Sequence, residues 1–439
     1  MKANNFDDAL NIFDPEHPLQ TKEELDEFFV KRKNSPLDEL GLFLRKTKTV
    51  PKLLFTGHRG SGKSTELAKL TLYLQDEFFI VNYSIKNTMN LFDIKYVDVI
   101  LSLATELVKS ALDENLNLNQ SLIQDIHDWF RKEVIQEVIV DTKGGANISA
   151  TLNLFVTKLG SKISTESSTR TLVREKIEPR LSELLERVDL VIGEIERITR
   201  KKVLIIVEDL DKADLASARE IFCEHSMSLT QSSCRIIFTF PIALRHDNDF
   251  INIRHNFDEP YVLPNFKVVT HDGNPDETGK TELKQIIIHR LAPEARLMTP
   301  AAVDLLVTLS GGLPRELVTL TRRSCLLAML KNRSQIDDQI VKQAGNRLSN
   351  DYRVLLTTAQ LKVLKDVAET KRVENDAEYR DLLHNLSVLE YRNDTIWYDV
   401  HPVVSPYCRL RLISESTPAM GYVALAKLIS VSFRPAKAA

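Results

Sequence analysis

Residues 52–65 read Lys52-Leu53-Leu54-Phe55-Thr56-Gly57-His58-Arg59-Gly60-Ser61-Gly62-Lys63-Ser64-Thr65. Residues 52–57 are a short apolar run closed by glycine, which predicts a buried strand. From Lys63 to Leu74 the apolar residues fall at helical spacing. Between the two lies G-x-x-x-x-G-K-[ST], in the strand-to-helix context a phosphate-binding loop requires. Phosphates need a concave row of backbone N–H groups, and glycines let the chain bend closely enough to form one. The helix start adds positive potential. In that pattern Lys63 reaches the β and γ phosphates and Ser64 ligates Mg²⁺.

Such a loop needs an acid at the end of a neighbouring strand. Residues 203–207, VLIIV, are a fully apolar β-branched run, the mark of a strand buried on both faces of a parallel sheet. Glu208-Asp209-Leu210-Asp211-Lys212 follows it. One acid would hold Mg²⁺ and the next would orient the attacking water. By position Glu208 is the metal-side acid and Asp209 the catalytic one. The usual order has Asp first, so the reverse assignment stays open. Further strands are expected at 78–85 and 234–240. Strands alternating with helices predict an α/β fold with a doubly wound parallel sheet.

Composition bounds the remaining classes. At ~150 residues per domain, 439 residues suggest about three domains. There are 58 Lys+Arg against 61 Asp+Glu, net −3, which argues against coating nucleic acid by bulk charge. The 14 glycines are roughly 3% of the chain against a usual ~7%, which disfavours a loop-rich β sandwich. No apolar run is long enough to span a bilayer, and the start lacks the apolar core of a signal peptide, so a cytoplasmic protein without membrane contact is expected. The four cysteines form no C-x-x-C pair and read as reduced thiols. The ten histidines show no paired ligand spacing, so no structural metal is expected.

Outward from the core, residues 1–50 form a helical lead-in, and 92–135 carry two helical stretches. Residues 136–170 look like an insertion. Ile148, Ala150, Leu152, Leu154 and Val156 alternate with polar residues and Phe155, and Gly144-Gly145 suits a turn, so a hairpin is expected, followed by a polar linker over 160–169. That hairpin is a candidate oligomer clamp or partner-docking element. A long charged helix occupies 171–200, and another helix lies near 213–230. Beyond 280, helices are expected at 281–292, 300–309, 314–331 and 335–347. Residues 351–413 read as three helices and two short strands around Asn393-Asp394, the order of a winged helix. The expected domains are thus 1–50, a core over 51–270, a helical lid over 271–350, the winged helix over 351–413 and a tail over 414–439. Lys31-Arg32-Lys33 is expected to be a solvated element end.

With both motifs in hand, the chain resembles the AAA+ and STAND branch of P-loop ATPases over roughly residues 30–410. The resemblance implies a P-loop NTPase core, a helical lid and a winged helix. It also implies ATP or ADP with Mg²⁺ as cofactors, held by Gly57, His58, Arg59, Gly60, Ser61, Gly62, Lys63, Ser64 and Thr65. Thr239 falls at the family's sensor position, without the arginine that STAND members often carry nearby. Gly311-Gly312-Leu313-Pro314-Arg315-Glu316-Leu317 is similar to the GLPL motif, and to the sensor-2 region of origin-recognition-type AAA+ proteins. It makes Pro314 and Arg315 nucleotide-side residues. Tyr398-Asp399-Val400-His401-Pro402 resembles the MHD motif, whose histidine contacts the β phosphate of ADP, with Pro402 in place of the aspartate. Arg245 and Arg254 are candidates for a trans-acting arginine. The implied activity is slow Mg²⁺-dependent ATP hydrolysis by a switch that forms a nucleotide-dependent homo-oligomer. Its effector is expected on a separate chain, in a prokaryotic defence or signalling setting. The competing reading is a DNA-binding AAA+ regulator of replication or transposition. Its helix, Asp376 to Leu389, offers Arg380 and His384 but also Asp376, Glu378 and Asp381, a poor set for phosphate contacts. Lys371, Arg372, Arg409 and Arg411 are its remaining backbone-contact candidates. A catalytically silent nucleotide-binding scaffold is the third.

Overall fold

The computed structural model describes residues 2–133, 148–258, 260–392 and 395–409. The chain divides into two compact units. One, the sheet unit, comprises Pro36–Thr56 and Glu66–Val262. The other, the loop unit, comprises Met1–Ser35, Gly57–Thr65 and the chain from Leu263 onward. The contacts cut the chain differently from the expected segments. The lead-in is split at Ser35, and the glycine-rich loop groups with the C-terminal helices.

In the sheet unit five strands form one parallel sheet: β1 (Lys52–Thr56), β2 (Phe78–Ser84), β3 (Lys202–Glu208), β4 (Arg235–Phe240) and β5 (Tyr261–Val262), in the order β2-β3-β4-β1-β5. The expected α/β parallel sheet is therefore present. Every residue of β1 and β4 is buried, as is β3 beyond Lys202, so apolar side chains cover both faces. Register sets Leu54 beside Phe238 and Ile206 beside Ile237. From β1 the chain travels to β2 on one side, and from β4 to β5 on the other. These two connections run in opposite directions across the sheet.

Residues 148–165 correct the sequence expectation. Instead of a hairpin strand and linker, they form the helix Ile148–Thr165, and Ser167–Ile177 is a second helix. The apparent alternation spans too few residues to decide. Phe155, which it would place outward, is 1% exposed, and Leu154 is 48% exposed. The buried set Leu152, Phe155, Val156, Leu159 and Ile163 follows helical spacing. Polar residues of the expected linker are absorbed by the helix, where Ser164 and Thr165 hydroxyls donate to the Ser161 carbonyl at 2.8 and 2.9 Å. Gly144-Gly145 lies outside the described residues. The second helix is tied to Tyr96–Asp113 and the turn before it: Arg174 Nε donates to Asp98 Oδ1 at 3.0 Å and Arg170 pairs with Asp93 at 2.9 Å.

In the loop unit, helices Phe6–Ile12 and Lys22–Phe28 precede the loop in sequence. Helices Glu277–Ile288, Pro300–Leu309, Pro314–Leu330 and Asp338–Val354 follow, close to the expected positions. Then come Thr358–Thr370, Ala377–His384 and an antiparallel hairpin of β6 (Val388–Arg392) and β7 (Ile396–Val400). Its turn, Asn393-Asp394, lies outside the described residues. Tyr391 stacks on Trp397 across the hairpin at 4.6 Å, and the Tyr391 hydroxyl donates to the Gly311 carbonyl at 2.8 Å. Among the described residues no helix is long and apolar enough to cross a membrane.

Candidate nucleotide site

The loop leaves β1 at Thr56 and ends where the helix Lys63–Leu74 begins. Gly60 has φ +79°, a left-handed conformation that side chains disfavour, and an added Cβ there would lie 2.7 Å from Arg315 Cβ. The loop is enclosed: His58, Ser61 and Lys63 are all buried. Lys63 Nζ donates to the Gly57 and His58 carbonyls, each at 2.9 Å. Its charge is thus held by the loop's own backbone, where a phosphate oxygen is the alternative acceptor.

Four other segments of the same unit grip the loop. Arg32, expected to be solvated, is 5% exposed. Its guanidinium donates to the Ser61 carbonyl at 2.7 Å and the Pro264 carbonyl at 2.6 Å, and lies 4.3 Å over the Phe266 ring. Phe266 N–H donates to the Gly312 carbonyl at 3.2 Å. Arg315 N–H donates to the Gly60 carbonyl at 3.1 Å. These bonds close a circuit through residues 60–61, 32, 264–266, 312 and 315. Gly312 is indispensable to it, because a Cβ there would lie 1.8 Å from the Phe266 carbonyl oxygen. The fourth grip comes from the C-terminal segment: Glu390 N–H donates to His58 Nε2 at 2.6 Å, and Arg59 donates to His384 Nε2 at 2.8 Å.

Several groups suit an anionic ligand. Among the described residues Ser61 Oγ is buried with no hydrogen-bond partner. The Ser64 hydroxyl and the Arg315 guanidinium make no hydrogen bond among the described residues. Pro314 opens the helix at its first turn, as expected. His401 is fully buried and stacks on Tyr352 at 5.1 Å. Its Nδ1 accepts from Val403 N–H at 3.3 Å, which leaves the proton of the neutral ring on Nε2, a donor with no partner among the described residues. Burial, helped by nearby His58, lowers its pKa to about 3. These orphaned donors fit a phosphate group.

In the sheet unit Glu208 closes β3 and Asp209 follows in a left-handed turn, φ +71°. Asp209 Oδ2 accepts from Ser84 Oγ at 2.6 Å, and Oδ1 pairs with Lys212 at 2.7 Å. Burial raises its pKa, but Lys212, Ser84 and Lys86 together outweigh that and hold it below the ordinary carboxylate range. Thr239, near the end of β4, accepts from Leu210 N–H at 3.0 Å and donates to the Val207 carbonyl at 3.3 Å. Its hydroxyl is thus spent on holding the acid-bearing turn to β4. Arg254 is exposed and Arg245 half-buried. Among the described residues no group of His, Cys, Asp and Glu forms a metal cluster by itself.

No family model matches the chain, and none of the curated proteins does. Among solved structures it is similar to the Cdc6p protein of Pyrobaculum aerophilum, with 13% identity over 97% of this chain and 98% of that one, at a TM-score of 0.41. It is also similar to the Walker-type ATPase PABY2304 of Pyrococcus abyssi, with 16% identity over 91% and 99% at 0.44. Third is the ORC1 protein of Aeropyrum pernix in complex with DNA, with 12% identity over 96% of each chain at 0.40. At such low scores the strand order and the loop remain the observations that define the fold.

Proposed function

We propose that the chain is a Mg²⁺-dependent nucleotide-binding switch of the AAA+/STAND kind that hydrolyses ATP slowly. The observation that carries this reading is the G-x-x-x-x-G-K-S loop leaving β1 of a parallel sheet whose β3 ends in Glu208-Asp209. Lys63 exchanges its two carbonyl partners for phosphate oxygens, and the loop amides from Gly60 to Thr65 line the phosphate tail. Arg315 supplies a further donor to anionic oxygen. Bound Mg²⁺, with Ser64 as a ligand, neutralises phosphate charge. Glu208 and Asp209 divide the roles of metal-side acid and water-orienting acid. A slow hydrolysis rate follows from an acid already committed to a lysine.

In this reading residues 351–413 act as a winged helix, a separate effector protein is controlled in trans, and the chain assembles with copies of itself in the cytoplasm, in prokaryotic defence or signalling. The DNA-binding alternative is disfavoured by the helix Ala377–His384. Its His384 is engaged by Arg59, and Glu378 and Asp381 flank Arg380.

Calorimetric titration with MgADP and with a non-hydrolysable ATP analogue tests the proposal. Binding by the wild type and its loss in Lys63→Ala is the expected result. No heat of binding by the wild type refutes it. A change of solution mass between the two nucleotides is expected of the switch, and identical mass refutes that part.

A further inference from the structure

The phosphate-loop motif leaves His58 and Arg59 unspecified, yet here both reach the C-terminal helix and hairpin. Among the described residues β6 pairs with β7 on one edge and with no strand on the other. On its other edge the backbone of Glu390 needs partners, because a buried unpaired N–H or C=O is costly. The loop unit supplies them from side chains. His58 accepts the Glu390 N–H at 2.6 Å, and Asn265 Nδ2 donates to the Glu390 carbonyl at 3.3 Å. Beside this, Arg59 donates to His384 at the end of the preceding helix at 2.8 Å. All of these atoms are buried or partly buried.

The same residue is also tied to the phosphate-binding lysine. Lys63 Nζ donates to the His58 carbonyl, while the His58 ring holds β6. A phosphate group that draws Lys63 away from that carbonyl acts on the residue that secures the hairpin. Lys63 and Ser61 are themselves buried, so a ligand entering the loop must displace something already packed there. Two events that compete for one residue are linked, and linkage is reciprocal.

We infer that His58 and Arg59 latch the helix–hairpin segment 377–400 to the phosphate loop, and that a nucleotide's phosphates and this docked segment compete for the loop. The inference rests on the nucleotide-binding reading above and adds the direction of regulation. The latch consists of protein–protein hydrogen bonds and holds without nucleotide. It differs in this from a closed state bridged by ADP through His401.

Hydrogen–deuterium exchange on the full chain tests it, with residues 203–207 of β3 as an internal control for folding. Without nucleotide, His58→Ala is expected to exchange about tenfold faster over 386–400, with β3 unchanged, because one buried N–H has lost its acceptor. Unchanged protection over 386–400 overturns the latch. With MgADP the wild type is expected to exchange faster over the same residues, and tighter protection overturns the competition. By reciprocity His58→Ala is expected to bind ADP about threefold to tenfold more tightly, where mere damage to the loop would weaken binding and overturn the inference. If His58→Ala fails to fold, Arg59→Ala takes its place, read over 377–392 with the same expected signs. Wild type that binds no ADP overturns the nucleotide reading itself. Wild type that binds ADP without any change over 386–400 overturns only the coupling.

Discussion

Replacing Arg32 by alanine tests the closed circuit around the loop. The guanidinium is buried, makes hydrogen bonds of 2.7 and 2.6 Å to two carbonyls, and lies over the Phe266 ring. Charge-assisted hydrogen bonds contribute roughly 1.5–3 kcal/mol each. A cation–π contact in a desolvated place adds about 1 kcal/mol. Against this stands the desolvation of the buried cation, which the substitution relieves. The net loss is on the order of 3 kcal/mol, or about a hundredfold in local opening at ~1.4 kcal/mol per decade. The readout is native-state hydrogen exchange in peptides covering 264–268 and 312–317, which carry the Phe266 and Arg315 amides of the circuit. Those peptides are expected to open about a hundredfold more often, while β3 does not change. Arg32→Lys recovers little, since an ammonium lacks the planar fork that serves two carbonyls at once. An acceleration below about threefold refutes the assignment of Arg32 as the loop's anchor.

Phe155→Ala is expected to destabilise the sheet unit by about 3–5 kcal/mol, because Phe155 is 1% exposed, whereas Leu154→Ala at 48% exposure changes stability by less than about 0.5 kcal/mol. Denaturant melts of the two variants distinguish the helix from the alternating strand, in which Leu154 shares a face with buried Leu152. His401 is neutral in the fold, with a pKa lowered to about 3 from an ordinary 6.5, so its contribution is complete above pH 6.5 and is lost as pH falls toward 3. Melting temperatures measured from pH 7 to 4 are expected to fall less steeply for His401→Phe than for the wild type, and parallel curves contradict the burial argument. Gly312→Ala places a Cβ against the Phe266 carbonyl at a φ of +86° and is expected to lower the melting temperature sharply or prevent folding; a soluble variant melting like the wild type contradicts the close approach.

The four longer strands of the sheet are legible because sheet burial leaves a one-dimensional mark, as in VLIIV, which has no polar residue to place, whereas the two-residue β5, Tyr261–Val262, is too short to leave one. The loop was legible because its chemistry demands fixed spacing. The sequence of 148–165 is ambiguous because five alternating positions satisfy two periods, and the burial of Phe155 and Ile163 decides between them. Arg32 was invisible for a different reason. Flanked by Lys31 and Lys33, it has the composition of a solvated stretch, and nothing local marks which of three cations turns inward. Its partners, Ser61 and Pro264, are distant in sequence. His58 and Arg59 occupy motif positions without a prescribed chemistry, so their attachment to β6 and His384 lay beyond any motif.

The loop unit is stitched from three stretches that synthesis delivers far apart in time. By the time Val262 leaves the ribosome, every strand of the parallel sheet exists. Residues 57–65 must still wait for Pro264, Arg315 and Glu390. At a translation rate of about 5–20 residues per second that interval is on the order of ten seconds. Throughout it the glycine-rich turn lacks the segments that enclose it in the mature fold, so under the inferred competition a nascent chain would meet nucleotide before segment 377–400 exists to oppose it.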